Sequence, residues 1–182
     1  MTFEEAITHL TQNFQNMLNK AEEMFGERDK SWTFIGIEFY NDGPYIMYYQ
    51  NKRISIVLSK DCSKLIPEFP QLYYQLSHEV CHLLYPTGKK DANVLNEGIS
   101  TYFSKVYLDI LFPNNDYAIE NIKKSIYFRA YILVEKLLSL DPDSIKKIRA
   151  INPNISYVTK EEISSLNFEL NDEEIDELIT KF

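Results

Sequence analysis

Hydrophobic residues recur at steps of three and four along residues 3–25, which is the spacing of one face of an α-helix. Thr2 and Glu5 stand three residues apart just where this pattern begins, as in a capping box. The pattern predicts an amphipathic helix whose apolar stripe faces the core. The stripe consists of Phe3, Ile7, Leu10, Phe14, Leu18, Ala21 and Phe25.

Three short strand-like runs follow this helix. Residues 32–40 and 45–50 flank an Asn-Asp-Gly-Pro turn at 41–44, which is typical of a hairpin. Residues 53–59 then alternate between the two faces of a strand. The three runs together predict a small antiparallel sheet.

From Pro67 onward the hydrophobic period becomes helical. Helices are predicted near 69–85, 94–111, 116–139, 142–151, 160–168 and 172–181. Each of the last three predicted helices has a start signal: Asp141-Pro142, Thr159 with Glu162, and Asn171 with Glu174. Nothing marks a second domain, so we expect one domain over 1–182, with 141–182 as a helical extension packed on it.

Composition narrows the classes of partner. The chain has 182 residues, of which 45% are hydrophobic and 14% aromatic, enough for a globular core. A net charge of −8 disfavours nucleic acid, because binding a phosphate backbone depends on Lys and Arg. The sequence contains no run of about 18 apolar residues, so no membrane span is predicted. Acidic charge would favour basic substrates by long-range steering.

Two features bear on the cellular compartment. The first five residues lack the basic start and apolar segment of a secretory signal. Cys62 and Cys81 are too few for a disulfide framework and are predicted to be free thiols. We therefore expect a cytoplasmic protein, with secretion open if a signal peptide had already been removed.

The most specific chemical pattern is His78-Glu79-Val80-Cys81-His82, which holds two of the chain's three histidines. With His78 at zero on a helical wheel, His82 lies at about 40° and Glu79 at about 100°, away from the apolar stripe. Two imidazoles on one face can share a zinc ion, and the glutamate can reach a water on it. This predicts a metal-dependent hydrolase; a solvated surface pair of histidines is the alternative.

A third ligand would separate these interpretations. Glu97 opens the next predicted helix and also points away from that helix's apolar side. Antiparallel packing of the two helices would bring it to the histidines, and two histidines with one carboxylate leave a fourth zinc position to water. The alternative is a surface glutamate favoured by the helix dipole. Asp91 and Cys81 are the other candidates for a third ligand.

Here the sequence resembles a known family. His78–His82 (HEVCH) and the run NEGIS-TYF that begins at Asn96 are similar to the gluzincin branch of the zincin metallopeptidases, which includes thermolysin-like, aminopeptidase and collagenase-like enzymes. Their pattern is H-E-x-x-H followed by a glutamate on a second helix, often as E-G-small-x-x-aromatic. The resemblance covers 53–139 at most. It implies an α+β, zincin-like fold with a small antiparallel sheet, an active-site helix and a mostly helical C-terminal half.

The resemblance also implies roles for individual residues. His78, His82 and Glu97 would bind Zn²⁺, and Glu79 would be the general base. Strand 53–59 would be the edge strand that pairs with an extended substrate. Thermolysin-type members place a carboxylate one turn after the third ligand, where this chain departs from the pattern with Thr101.

The residue that would donate a hydrogen bond to the developing oxyanion is the one that the sequence identifies least specifically. Tyr127 and Tyr131 are candidates, because similar families often carry a tyrosine on a helix after the glutamate helix. Both share a predicted face with Val134 and Leu138, which favours plain packing.

The expected function is a zinc peptidase acting on a peptide or protein. The alternatives are an inactive zinc-stabilised protein-binding domain and a regulatory peptidase with one protein substrate.

Overall fold

The computed structural model describes residues 3–60 and 69–182. Their secondary structure is mostly helical, with three strands, which confirms an α+β protein. The predicted cap at Thr2 and the thiol of Cys62 lie outside the described residues. In chain order the elements are α1 Phe3–Phe25, β1 Thr33–Tyr40, β2 Tyr45–Tyr49, β3 Arg53–Ser59, α2 Phe69–His82, α3 Val94–Leu111, α4 Tyr117–Lys124, α5 Phe128–Leu140, α6 Ser144–Ile151, a 3₁₀ turn Ile155–Tyr157, α7 Lys160–Ser164 and α8 Asp172–Ile179.

The sheet is mixed, so the antiparallel prediction was wrong. Its strand order is β1-β3-β2, with β1 parallel and β2 antiparallel to β3. β3 takes the centre because residues 54–58 are buried whichever face they point to, and a strand buried on both faces is best placed between neighbours. The edge role expected for 53–59 is therefore also wrong.

The hairpin lies one connection later than predicted. β2 and β3 are joined through residues 50–52, where Asn51 and Lys52 both have positive φ, as tight hairpin turns require. The loop at 41–44 instead carries the chain across the end of β3 to the opposite edge. A Cβ on Gly43 would lie only 2.7 Å from the backbone carbon of Leu58, so this crossing depends on glycine.

The predicted helix over 116–139 is two helices, α4 and α5. The Ser125 hydroxyl donates to the Ile122 carbonyl at 2.9 Å and accepts from the Tyr127 amide at 3.2 Å. A serine side chain that competes in this way for backbone groups ends a helix. The break turns Tyr127 into the residue that precedes α5.

Two of the three helix-start signals are confirmed as full capping boxes, Thr159 with Glu162 and Asn171 with Glu174. The helix expected from Pro142 begins instead at Ser144. Among the described residues, no helix combines the length and apolar character that a membrane span requires.

Packing around α3 sets the position of the site. α3 lies between α2 and α5 and also contacts α8. It approaches α5 closely at Gly98, where a Cβ would lie 2.5 Å from the carbonyl oxygen of Ala130. This close contact fixes the first turn of α3 against the rest of the core.

Arg149 on α6 ties two chain segments together. Its guanidinium donates hydrogen bonds of 2.5–3.1 Å to the carbonyls of Phe25, Gly26, Glu27 and Leu84. The first two carbonyls belong to the end of α1, and Leu84 follows the end of α2. A cation is favourable at both places, because helix C-termini carry partial negative charge.

Candidate metal centre

Helices α2 and α3 bring the two parts of the sequence pattern together. His78 and His82 lie one turn apart on α2, and Glu97 lies in the first turn of α3. The start of α3 is fixed by Asn93, whose side-chain oxygen accepts from the Asn96 amide at 2.9 Å. The Asn93 side-chain amide also donates to the Ile155 carbonyl at 2.8 Å. The 3₁₀ turn therefore braces the helix end that carries Glu97.

The Glu97 carboxylate reaches both imidazoles. Its Oε2 lies 3.1 Å from Nε2 of His78, and its Oε1 lies 3.8 Å from Nε2 of His82. The three side chains are 10–13% exposed. This burial does not fit a solvated histidine pair or a surface glutamate, the two alternatives that the sequence left open.

The same distances suit a bound metal ion. Zinc holds nitrogen and oxygen ligands at about 2.0–2.2 Å in a tetrahedron, which separates neighbouring ligand atoms by roughly 3.3 Å. The two Nε2–carboxylate distances lie on either side of this value. Each imidazole–carboxylate pair is therefore spaced roughly as two ligands of one small cation would be.

Glu79 is the second carboxylate of the site and is itself buried. One of its oxygens and one nitrogen from each of His78 and His82 all lie within 4.8 Å of one another, a group that could hold a metal ion. Within the described residues, Glu97, Asp91 and Cys81 are not part of this group; Glu97 differs from the other two because its two oxygens lie 3.1 Å and 3.8 Å from the imidazoles.

The two carboxylates have opposite electrostatic environments. Burial raises the pKa of Glu79 to about 7; the charge of Glu97 adds to this shift, and His78 opposes it. Burial acts the same way on Glu97, but the two imidazoles beside it hold its pKa well below the usual range. One carboxylate thus stays ionised while the other exchanges a proton near neutral pH. Such a separation is typical of acid–base sites.

Asn96 supports His82 from the side of α3. Its amide nitrogen donates to the Ser156 hydroxyl at 2.6 Å. Its amide oxygen is buried and has no hydrogen-bond partner in the described part of the chain. Burial lowers the pKa of His82 to about 4, and the nearby Asn96 side chain partly opposes this. An imidazole that uses one nitrogen for a metal keeps an N–H on the other, and this oxygen can accept it.

A cavity of about 320 Å³ is lined by His78, Glu79, His82 and Glu97. Tyr45, Ile46 and Tyr48 of β2 form one wall, and residues 87, 89–92 and 181–182 form others. In the described sheet β2 is an edge strand, paired only with β3. The strand that lies at both the sheet edge and the cavity is therefore β2 and not the strand at 53–59.

The two candidate tyrosines lie one turn apart at the start of α5 but have different surroundings. Tyr127 lines the cavity, with its ring 5.4 Å from the His78 ring and stacked at 5.0 Å on Phe182. Tyr131 packs on Tyr102 and donates a hydrogen bond to Glu135. Only Tyr127 is placed to meet a ligand, and its role as a donor stays a prediction.

Sequence reasoning missed several residues of this site. Asn96 had a local signal, since it is a polar residue directly before Glu97 on a largely apolar helix. Lys90 and Phe182 had none, because only the tertiary fold brings them to the cavity. Thr101, where the thermolysin-type pattern has a carboxylate, is fully buried, and its hydroxyl has no partner among the described residues.

Comparison with known proteins gave no relative: no protein-family model, curated protein or solved structure matches this chain. The interpretation of the site therefore rests on its own geometry. That geometry shows a buried His78-Glu79-His82 group that could hold a metal ion, with the Glu97 carboxylate directed at both imidazoles.

Proposed function

We propose that this chain is a zinc-dependent peptidase in which His78, His82 and Glu97 bind the metal. The observation that carries the proposal is the convergence of both Nε2 atoms on one carboxylate inside a cavity. Two histidines and a carboxylate are a ligand set of catalytic zinc, which keeps one position open.

Glu79 is the general base of the proposed reaction. When bound, zinc would polarise the scissile carbonyl and lower the pKa of water towards 7. Glu79 is buried beside the histidines; in the metal-free site burial raises its pKa to about 7, and a bound cation would lower the pKa again, which leaves the carboxylate ionised and ready to accept a proton. It would take the proton of the attacking water and deliver it to the departing amine.

Two further features suit a peptide substrate. An extended peptide can pair with the free edge of β2 through backbone hydrogen bonds, as in other strand-addition complexes. The Tyr127 hydroxyl would donate to the oxygen of the scissile carbonyl as negative charge develops there.

The proposal is tested with Glu79→Gln in a pool of mixed peptides, with new termini detected by mass spectrometry. We expect zinc content to be kept and turnover to fall about 10²–10⁴-fold or more. Glu120→Gln, an exposed glutamate on α4, is the matched control and should retain full activity. Full activity of Glu79→Gln would show that the mechanism is wrong. Zinc-loaded wild type that cleaves nothing would favour an inactive protein-binding domain.

A further inference from the structure

The charge around the cavity differs from that of the whole chain. The chain carries 27 acidic and 19 basic residues. Apart from Glu79 and Glu97, however, the charged residues that line the cavity are three lysines and one aspartate: Lys89, Lys90, Lys181 and Asp91. An acidic protein therefore presents a locally basic opening beside its candidate site.

Two of the three lysines already have a carboxylate partner. Asp91 lies 2.9 Å from Nζ of Lys89 and 2.6 Å from Nζ of Lys181. Lys181 also donates to the Ser156 carbonyl at 3.0 Å. These contacts hold both ammonium groups in place and offset half of their charge.

Lys90 is different. Its Nζ lies 4.4 Å from the ring centroid of Tyr45, the first residue of the edge strand β2. Within the described ranges it forms no ion pair at 4.0 Å or less, although its charge acts at longer range on the Glu79 carboxylate and lowers the pKa of that group. A cation–π contact steadies an ammonium group without consuming its N–H donors. Lys90 is thus a positioned cation, next to the edge strand, whose donors remain available to a ligand.

We propose that Lys90 selects substrates that carry a carboxylate, which it binds while the peptide lies along β2. The proposal deepens, and rests on, the peptidase function proposed above. Lys90 is exposed, so water and salt partly screen its attraction for a carboxylate, and the contact with Tyr45 favours the pair by holding the ammonium group in position. The local charge thus favours acidic ligands, opposite to the basic substrates expected from net charge.

The carboxylate could belong to an acidic side chain or to the end of a peptide chain. Four matched pools of N-acetylated random octapeptides separate these sources. Each pool has one internal Glu or Gln, a free or amidated C-terminus, and otherwise uncharged residues. Each is passed over immobilised, zinc-loaded Glu79→Gln protein, and retained peptides are quantified by mass spectrometry.

Pools with a matching carboxylate should be retained about two- to fivefold more strongly than the pool with internal Gln and an amidated C-terminus. The preference should weaken as salt is raised. In the Glu79→Gln protein, a second substitution Lys90→Met should abolish the carboxylate preference, and Lys90→Arg should keep the preference. Lys124→Met, an exposed lysine at the end of α4, makes the same charge change and should leave it intact.

Two of the pools then identify the source of the carboxylate. The pool with internal Glu and an amidated C-terminus offers only a side-chain carboxylate, and the pool with internal Gln and a free C-terminus offers only a terminal one. Equal retention of all four pools, no retention of any, or an unchanged preference in Lys90→Met would overturn the proposal. Cleavage of the same pools by the zinc-loaded wild type tests the peptidase function separately. Carboxylate-selective binding without cleavage would reject the peptidase alone, and cleavage without carboxylate preference would reject only the role of Lys90.

Discussion

Gly98 offers the sharpest test of how the site is held, because two physical effects predict opposite signs for Gly98→Ala. It lies inside α3, next to Glu97, where alanine is the better helix former by about 1 kcal/mol. Helix propensity alone therefore predicts a more stable variant. Packing predicts a less stable one, because the added Cβ would lie 2.5 Å from the Ala130 carbonyl oxygen and 2.6 Å from a Val134 methyl.

The packing effect should dominate. The Cβ would be about 0.9 Å short of ordinary van der Waals contact with the Ala130 oxygen. That oxygen is backbone and cannot rotate away, so α3 and α5 must separate. Overpacking of this kind costs about 1–3 kcal/mol or more. A net loss of about 2 kcal/mol would lower the melting temperature by about 4–8 °C in a chain of this size.

Thermal unfolding followed by circular dichroism measures this change. Val134→Ala supplies the control, because it removes one of the two clashes. The cost of Gly98→Ala should be about 0.5–1 kcal/mol smaller in that background than in the wild type. A melting temperature that rises in Gly98→Ala would refute the close approach of α3 and α5.

Two further predictions concern stability and turnover. Arg149→Met keeps most of the side-chain volume but removes the guanidinium donor from four backbone carbonyls, of which, among the described residues, only that of Leu84 keeps a second donor, the Asp29 amide. We therefore expect a loss of about 2–4 kcal/mol in urea unfolding; an unchanged midpoint would contradict the bracing role. Tyr127→Phe should lower kcat about 10²-fold with KM and zinc content nearly unchanged. Tyr131→Phe, away from the cavity, should leave kcat alone, and equal effects of the two variants would argue against an oxyanion donor.

The elements that the sequence predicted well depend on local patterns. The period of three and four over 3–25 is confirmed as α1, and the two capping boxes near the end of the chain are confirmed with both of their hydrogen bonds. The spacing of His78 and His82 needed only a helix to place both on one face. Each of these features is decided by residues within a few positions of one another.

The errors came where distant segments decide the outcome. The loop at 41–44 carried a hairpin signal, but the burial of both faces of β3 places that strand between β1 and β2. Lys90 reached the cavity because the α2–α3 connection passes the start of β2. Such choices depend on tertiary contacts that no local pattern encodes. Ser125 is a local exception: its hydrogen bonds to Ile122 and Tyr127 end a helix although the hydrophobic period continues through it.

The central claim is that His78, His82 and Glu97 hold one zinc ion, and metal content tests it most directly. Wild type, Glu97→Ala and the surface control Glu120→Ala are purified in parallel, supplemented with zinc, freed of excess metal and analysed by mass spectrometry. The account predicts about one zinc per chain in the wild type and the control, with most of it lost from Glu97→Ala. A folded wild type without zinc, or a Glu97→Ala variant that keeps its full zinc content, would contradict it.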